Sequence, residues 1–583
     1  MRLLGRHLTP YRRAIALVIA LLLLQAMGQL YLPSLNADII NDGVITGDTG
    51  FILRTGAIML AITTLVSITS IVAVYFSART AMGFGRDVRA HLFRHVEGFS
   101  LRELQEFGAP SLITRNTNDV QQVQMLVAMG LTMLISAPIM AIGGIVMAIQ
   151  EDVQLSSLLL IIIPIMLMVI WLIVRQTIPM FRIMQIKIDR INLILREQLT
   201  GIRVIRAFVR SDQEIERFED ANDDVTRTAL RVSRLFALMM PTLMLIFNLA
   251  TIAIIWFGGH LVDAGSMPIG NLTAFIAYVT QILFAVMMAV MMVVMIPRAA
   301  ASAERIQVVL DRQPTITEST SPPRLTAGTG IGSGAQVDLE LVGYRYPGAV
   351  EPVLQGISLH LRPGLTTAIV GSTGSGKTTL LHCIMRLLDV TEGSVTIDGF
   401  DVREQPLESL WGSISLVPQR SMLFSGTIAT NLRLGDPAAS DARLWQALEW
   451  AQARDFVASL AEGLDAAVDQ GGTNFSGGQR QRLAIARALV RRSRMYLFDD
   501  AFSALDYATD ARLRSALRTA TQGATLIMVA QRVTSIMHAD QIVVLEGGRL
   551  VGVGTHDHLL DTCATYREIV QSQASIDDVG ALR

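Results

Sequence analysis

Six stretches of this chain are long enough and free enough of charge to cross a lipid bilayer, and they decide what its first half can become. They run over 14–37, 55–78, 120–150, 153–174, 235–262 and 264–297. A spanning helix needs about 20 apolar residues, and hydrocarbon forces its backbone to pair within the segment. Several of the runs exceed that length, so the helices are expected to tilt or to continue into water. A mean hydropathy of +0.44 with 17% charged residues is too apolar for an ordinary soluble chain of 583 residues. The apolar run after residues 1–13 is too long for a cleaved signal and lacks a small-x-small site, so it reads as a first membrane helix.

Arginine placement orients these helices. Arg2, Arg6, Arg12 and Arg13 precede the first span, Arg79 to Arg115 follow the second, and Arg175 to Arg234 follow the fourth. The alternate connections carry Asp42, Asp48, Glu151, Asp152 and Asp263, with Arg54 their only basic residue. The bias of basic residues toward the cytosolic side predicts that both termini are cytosolic. The long connections near 79–124 and 175–234 read as helical extensions of the spans. They are expected to reverse near Gly108-Ala109-Pro110 and near 209–212.

From Pro314 to Ala335 the chain is rich in Pro, Thr, Ser and Gly, the mark of a surface linker. Beyond it short β-rich runs alternate with helical ones, as in an α/β domain. The expected division is a membrane all-α domain over 1–312, a linker over 313–336 and an α/β domain over 337–583. A net charge of −1 offers no basic footprint for nucleic acid. Cys383 and Cys563 lie far apart without metal-type spacing and are expected to be free thiols.

One loop carries the strongest chemistry. Gly371-Ser372-Thr373-Gly374-Ser375-Gly376-Lys377-Thr378 follows the apolar strand 366–370 and opens a helix that includes Thr379. In that context successive backbone N–H groups converge on phosphate oxygens. Lys377 would reach the terminal phosphates and the Thr378 hydroxyl would ligate Mg²⁺. Lysine occurs only at 187 and 377 among 49 basic residues, so the ammonium stands where a phosphate loop uses one. Asp499, closing the strand from Met495, is the expected support for the metal.

Further segments carry a family resemblance. They are Tyr344-Arg345-Tyr346-Pro347, Leu416-Val417-Pro418-Gln419 and Phe475-Ser476-Gly477-Gly478-Gln479, with Arg115 to Val120, Glu197 to Phe208 and Ala301 to Ile306 in the first half. Together the chain resembles a half-transporter of the ATP-binding cassette (ABC) exporter family. The resemblance implies a multi-pass protein of the bacterial inner membrane, with ATP and Mg²⁺ bound in a cytoplasmic nucleotide domain. It implies that Tyr346 stacks on adenine and that Gln419 touches Mg²⁺ and the attacking water. It also implies that Ser476, Gly477, Gly478 and Gln479 bind the γ-phosphate of ATP held by an opposing subunit, and that the cytosolic turns dock on the nucleotide domains.

Two departures from the family fall at the expected catalytic positions, and a further pair lies elsewhere. After Asp499 it places glutamate, the general base; here stands Asp500. Losing one methylene withdraws the carboxylate by about 1.5 Å, and misplacement of about 1 Å can cost about 100-fold in rate. Where the family has histidine stands Gln531, which offers only a neutral amide. Asp469-Gln470 also replace a usual Gly-Glu. The serine-glycine run is intact. Expected, therefore, is one defective phosphate half and one sound signature half, with the catalytic Glu and His supplied by an unlike half-transporter. The alternatives are a homodimer using Asp500 as a slow base, and an ATP-gated regulatory membrane protein that does not pump.

The sixth span spaces Met287, Met288, Met291, Met292 and Met295 three and four apart, on one helix face. Helix packing or lipid contact is favoured for them over cargo contact. Gln25, Gln29, Asn36, Asn248 and Gln281 sit at membrane depth, where interhelical hydrogen bonds are favoured. No span carries an acidic or basic residue, so a small apolar or amphipathic cargo is expected.

Overall fold

The computed structural model describes residues 2–318, 333–503 and 505–580. It divides into two units, Met1–Glu97 with Ala109–Arg312 and Gly98–Gly108 with Gln313–Arg583. Residues 319–332 of the expected linker lie outside the described residues.

In the first unit, six helices are long and apolar enough to cross a membrane. Their outer faces are apolar as well: Leu60, Ile71 and Leu160 are 70%, 70% and 79% exposed, a surface suited to hydrocarbon. Inside, the helices Arg12–Asp38, Ile135–Glu151 and Ile269–Asp311 pack around Ala26, Leu30, Met140, Phe275 and Tyr278. The Tyr278 hydroxyl donates to the Leu30 carbonyl at 2.9 Å, which satisfies the polar tip of a fully buried ring. Gln281 donates across helices to the Gln29 carbonyl at 3.3 Å.

A second apolar cluster holds Val18, Leu22, Phe84, Val88, Val120 and Ile306. In the same unit the buried Asp119 accepts from Ser302 Oγ at 2.9 Å and from Arg305 Nε at 2.8 Å. Segments far apart in sequence therefore meet on one ion pair. Truncating Arg305 would strand the buried Asp119 carboxylate, whereas the Arg305 side chain is itself half exposed.

Two boundaries differ from the sequence expectation. The sixth helix begins at Ile269, not at 264, because Ala264–Pro268 turn. Gly265 there has φ +71°, and Pro268 provides an extended N-cap. The second helix, Thr49–Glu97, stops well before Gly108. A separate helix, Leu101–Phe107, starts at a capping box in which Ser100 and Glu103 exchange hydrogen bonds. Glu103 is fully buried and also accepts from Thr315, while Leu101 packs on the apolar core of the second unit. The other reversal falls as expected: Leu159–Ala207 and Ser211–Asp263 are joined by a turn in which Val209 has φ +53°.

Among the described residues the second unit contains three sheets. An antiparallel sheet orders β2 (Leu354–Leu361), β1 (Val337–Tyr344), β4 (Glu392–Ile397) and β5 (Phe400–Asp401). The main sheet orders β12 (Arg549–Gly554), β11 (Gln541–Glu546), β3 (Thr366–Gly371), β10 (Thr525–Val529), β9 (Met495–Asp499) and β6 (Ile414–Val417). Its strands are parallel except β12. A short ribbon pairs β7 (Gly426–Thr427) with β8 (Ala467–Val468). Strands β9 and β10 are buried on both faces, which explains their continuous apolar runs. Because β3, β10 and β9 are neighbours in register, the residues after their C-terminal ends converge at one edge of the sheet.

Candidate nucleotide site

The loop between β3 and the Lys377–Ile384 helix needs its glycines for shape. Gly374 and Gly376 have φ +84° and +94°, which side chains rarely adopt. A Cβ on Gly376 would also lie 2.6 Å from Leu354 Cδ2 and 3.0 Å from the Val353 carbonyl. Lys377 Nζ folds back on the loop, donating to the carbonyls of Gly371 (2.9 Å) and Ser372 (2.7 Å). Burial lowers its pKa, against the opposing pull of Asp500 and Asp499. An ammonium held this way gains most from an anionic ligand in the loop.

At the far side of the loop Thr378 Oγ1 donates to Asp499 Oδ1 at 3.0 Å. Burial raises the Asp499 pKa, partly offset by that hydrogen bond and by Lys377. A hydroxyl and a carboxylate adjoining a phosphate loop are the hard oxygen donors that Mg²⁺ takes. The residues present fit that ion, with Gln419 as the third candidate.

A cavity of about 390 Å³ joins these groups. Thr373, Gly374, Gly376, Lys377, Thr378, Thr379, Gln419, Asp499, Asp500 and Gln531 line it. Val353 and Val529 line it too, and nothing in the sequence marked them, since their place follows from the positions of β2 and β10. Gly371, Ser372 and Ser375 form the loop without lining the cavity.

Asp500 and Gln531, far apart in sequence, touch: Gln531 Nε2 donates to Asp500 Oδ2 at 2.9 Å. Asp500 is buried and sits at φ +50°, a left-handed conformation that Asp tolerates better than most residues. Its carbonyl accepts from Ser503 Oγ at 3.0 Å, a contact the sequence did not flag. Burial raises the Asp500 pKa, while hydrogen bonding by Gln419 lowers it and the charge of Asp499 raises it further. An acid so placed is a carboxylate with a neutral amide as its neighbour.

Tyr346 stands edge-on to Tyr344, with ring centroids 4.9 Å apart, and its hydroxyl lies 3.3 Å from Thr379 Oγ1. It is next to the loop but does not line the cavity. Ser476 caps the helix Gly477–Val490 through a reciprocal capping box with Gln479. None of Ser476, Gly477, Gly478 or Gln479 lines the cavity of their own chain.

A parallel sheet, a glycine loop at a helix N-terminus and a lysine over it define a phosphate-binding nucleotide domain, here in one chain with six membrane helices. Comparison with known proteins narrows this. The ABC transporter transmembrane region matches residues 15–286 and the ABC transporter family model matches 354–503. An uncharacterized ABC transporter ATP-binding protein of Mycobacterium tuberculosis is 49% identical over 100% of both chains. An ATP-dependent lipid A-core flippase of Syntrophus aciditrophicus is 31% identical over 85% of this chain and 81% of its own. The structure of a bacterial Atm1-family ABC exporter with ATP bound superposes with a TM-score of 0.80, at 24% identity, covering 97% and 98% of the two chains. The chain belongs to the ABC transporters. It is an exporter-type half-transporter, a multi-pass membrane protein whose ATPase domain is coupled to transport.

Proposed function

We propose that this chain is the degenerate-site subunit of a heterodimeric exporter of apolar or amphipathic compounds, drugs or lipids. The observation carrying this reading is the 2.9 Å hydrogen bond from Gln531 Nε2 to Asp500 Oδ2. The two departures at the expected catalytic positions form one unit, a shortened acid held by an amide that donates a hydrogen bond but does not titrate. In this reading ATP and Mg²⁺ bind at Lys377, Thr378 and Asp499 and are held rather than split. Tyr346 supports the adenine, and Gln419 reports on the metal and water.

The signature run, lining no part of its own cavity, serves ATP in the partner. That partner supplies the catalytic Glu and His. Exposed apolar residues beyond the spans support pairing: Phe208 and Val209 are 74% and 87% exposed at the turn between two helices, and Leu199, earlier on the helix Leu159–Ala207, is 76% exposed. The nucleotide unit and both termini face the cytoplasm of a bacterial cell, following the arginine bias. The spans' lack of acidic and basic residues, and the flippase among the relatives, support an amphipathic cargo. On the sixth helix Met292 is fully buried and Met287 packs against Leu243 and Leu283, the favoured packing role. The Met291 side chain lies outside the described residues.

The test uses the purified chain in nanodiscs, alone and with an unlike half-transporter that carries the family's glutamate and histidine at the matching positions. Expected alone is ATP that stays bound and intact; expected together is turnover that survives Asp500→Asn. Brisk hydrolysis by the chain alone, abolished by Lys377→Ala, would instead establish the homodimer. Turnover without cargo movement in vesicles would favour the ATP-gated regulator.

A further inference from the structure

The first turns of the helix Ala564–Gly580 place one stripe against the core. Tyr566 is fully buried, with its hydroxyl 2.7 Å from His556 Nδ1, and Ile569 and Val570 pack against the core of the main sheet. Gln573 continues that stripe, since 566, 569, 570 and 573 follow the spacing of one helix face. A carboxamide at the end of an apolar stripe has four hydrogen-bonding positions to place. Two of them reach the backbone around Gln531. Gln573 Oε1 accepts from the Val533 N–H at 2.7 Å, and Gln573 Nε2 donates to the Gln531 carbonyl at 2.7 Å.

Such a pairing copies what an adjoining strand would do for residues 531 and 533. It also falls where the chain has no strand partner, because β10 ends at Val529 and the next turn starts at Val533. The Gln531 side chain then projects from a backbone held on one side by β10 and on the other by this clamp. Its amide reaches Asp500.

We infer that Gln573 is a positioning residue: the C-terminal helix clamps the backbone of Gln531 and thereby sets its amide for the terminal phosphate of ATP. This rests on the proposed role of Gln531 at that phosphate. Movement of the C-terminal helix would be transmitted to the nucleotide site through two hydrogen bonds, without any change in the phosphate loop.

The experiment measures ATP and ADP affinity of the full chain in nanodiscs for Gln573→Met, Gln573→Glu and Gln531→Ala. Methionine keeps the length and loses both hydrogen bonds; glutamate keeps the acceptor for Val533 and loses the donor. Expected is a drop of about fivefold in the preference for ATP over ADP, the size of one lost hydrogen bond. ADP affinity stays unchanged, and Gln573→Met adds nothing in a Gln531→Ala background. If Gln531→Ala lowers the preference and the Gln573 variants do not, the clamp is wrong and the role of Gln531 stands. If Gln531→Ala leaves the preference unchanged, both fall. Equal loss of ATP and ADP affinity in the Gln573 variants would reduce the residue to a structural support.

Discussion

The two ends of the nucleotide cavity obey different constraints. At the phosphate-gripping end, from Gly371 to Thr379, backbone shape dictates residue type. A Cβ at Gly376 collides with Leu354, and Lys377 is folded into the loop. At the end proposed for water activation, Asp500 and Gln531 stand where the family resemblance implies glutamate and histidine, and they form a hydrogen-bonded pair. Gripping ATP and activating water are separable tasks. In the proposed reading the first depends on loop geometry that disfavours side chains at Gly374 and Gly376, the second on side-chain reach at Asp500 and Gln531.

Lys377→Ala offers the largest contrast. Truncating one member of a buried charge pair costs about 2–5 kcal/mol, about 30-fold or more in affinity. Equilibrium binding of labelled ATP to the purified chain checks it, and retained binding would undo the assignment of the gripping end. Asp500→Glu with Gln531→His follows, expected to raise turnover of the partnered transporter by up to about 100-fold at this site. Steady-state phosphate release reads it. Unchanged turnover would show that reach is not what limits the site.

Gly376→Ala is expected to weaken ATP binding while the helices remain folded, since a side chain at φ +94° costs about 1–3 kcal/mol. Circular dichroism and nucleotide titration separate the two effects. The smallest effect is a pH dependence. Burial raises the Asp500 pKa, so the carboxyl gains its proton at higher pH than an ordinary Asp as the solution is acidified. Protonation removes a negative charge facing the cavity, so ATP affinity should rise severalfold as the pH falls through that raised pKa. Asp500→Asn should be tight at every pH and lose that part of the slope. An unaltered slope in the variant would place its origin in ATP itself.

Much of the site was legible because its chemistry is local. The phosphate loop declares itself within a few residues of chain, and the strand ending at Asp499 needs only its apolar run. The pairing of Gln531 with Asp500 was not legible, nor was Ser503 or the clamp from Gln573. The first depends on β10 lying beside β9, an order not written in any single segment; Ser503 is a local turn contact three residues from Asp500, and the clamp needs the C-terminal helix packed on the core of the main sheet. In the membrane unit the apolar runs located the helices but misplaced their ends. Gly265, Pro268 and the Ser100–Glu103 capping box decide where helices stop, and hydropathy is blind to all of them.

The sequence alone determined six apolar helices long enough to span a membrane and a glycine-rich loop opening a helix, and it marked Asp500 as one methylene shorter than the acid the family resemblance implies, because each follows from length, composition or the size of a side chain. Only the tertiary structure decided that Asp119 meets Arg305, that Glu103 joins the nucleotide unit and that Gln531 rests on Asp500. Such contacts join segments distant along the chain, and their partners emerge only when packing brings the backbones together.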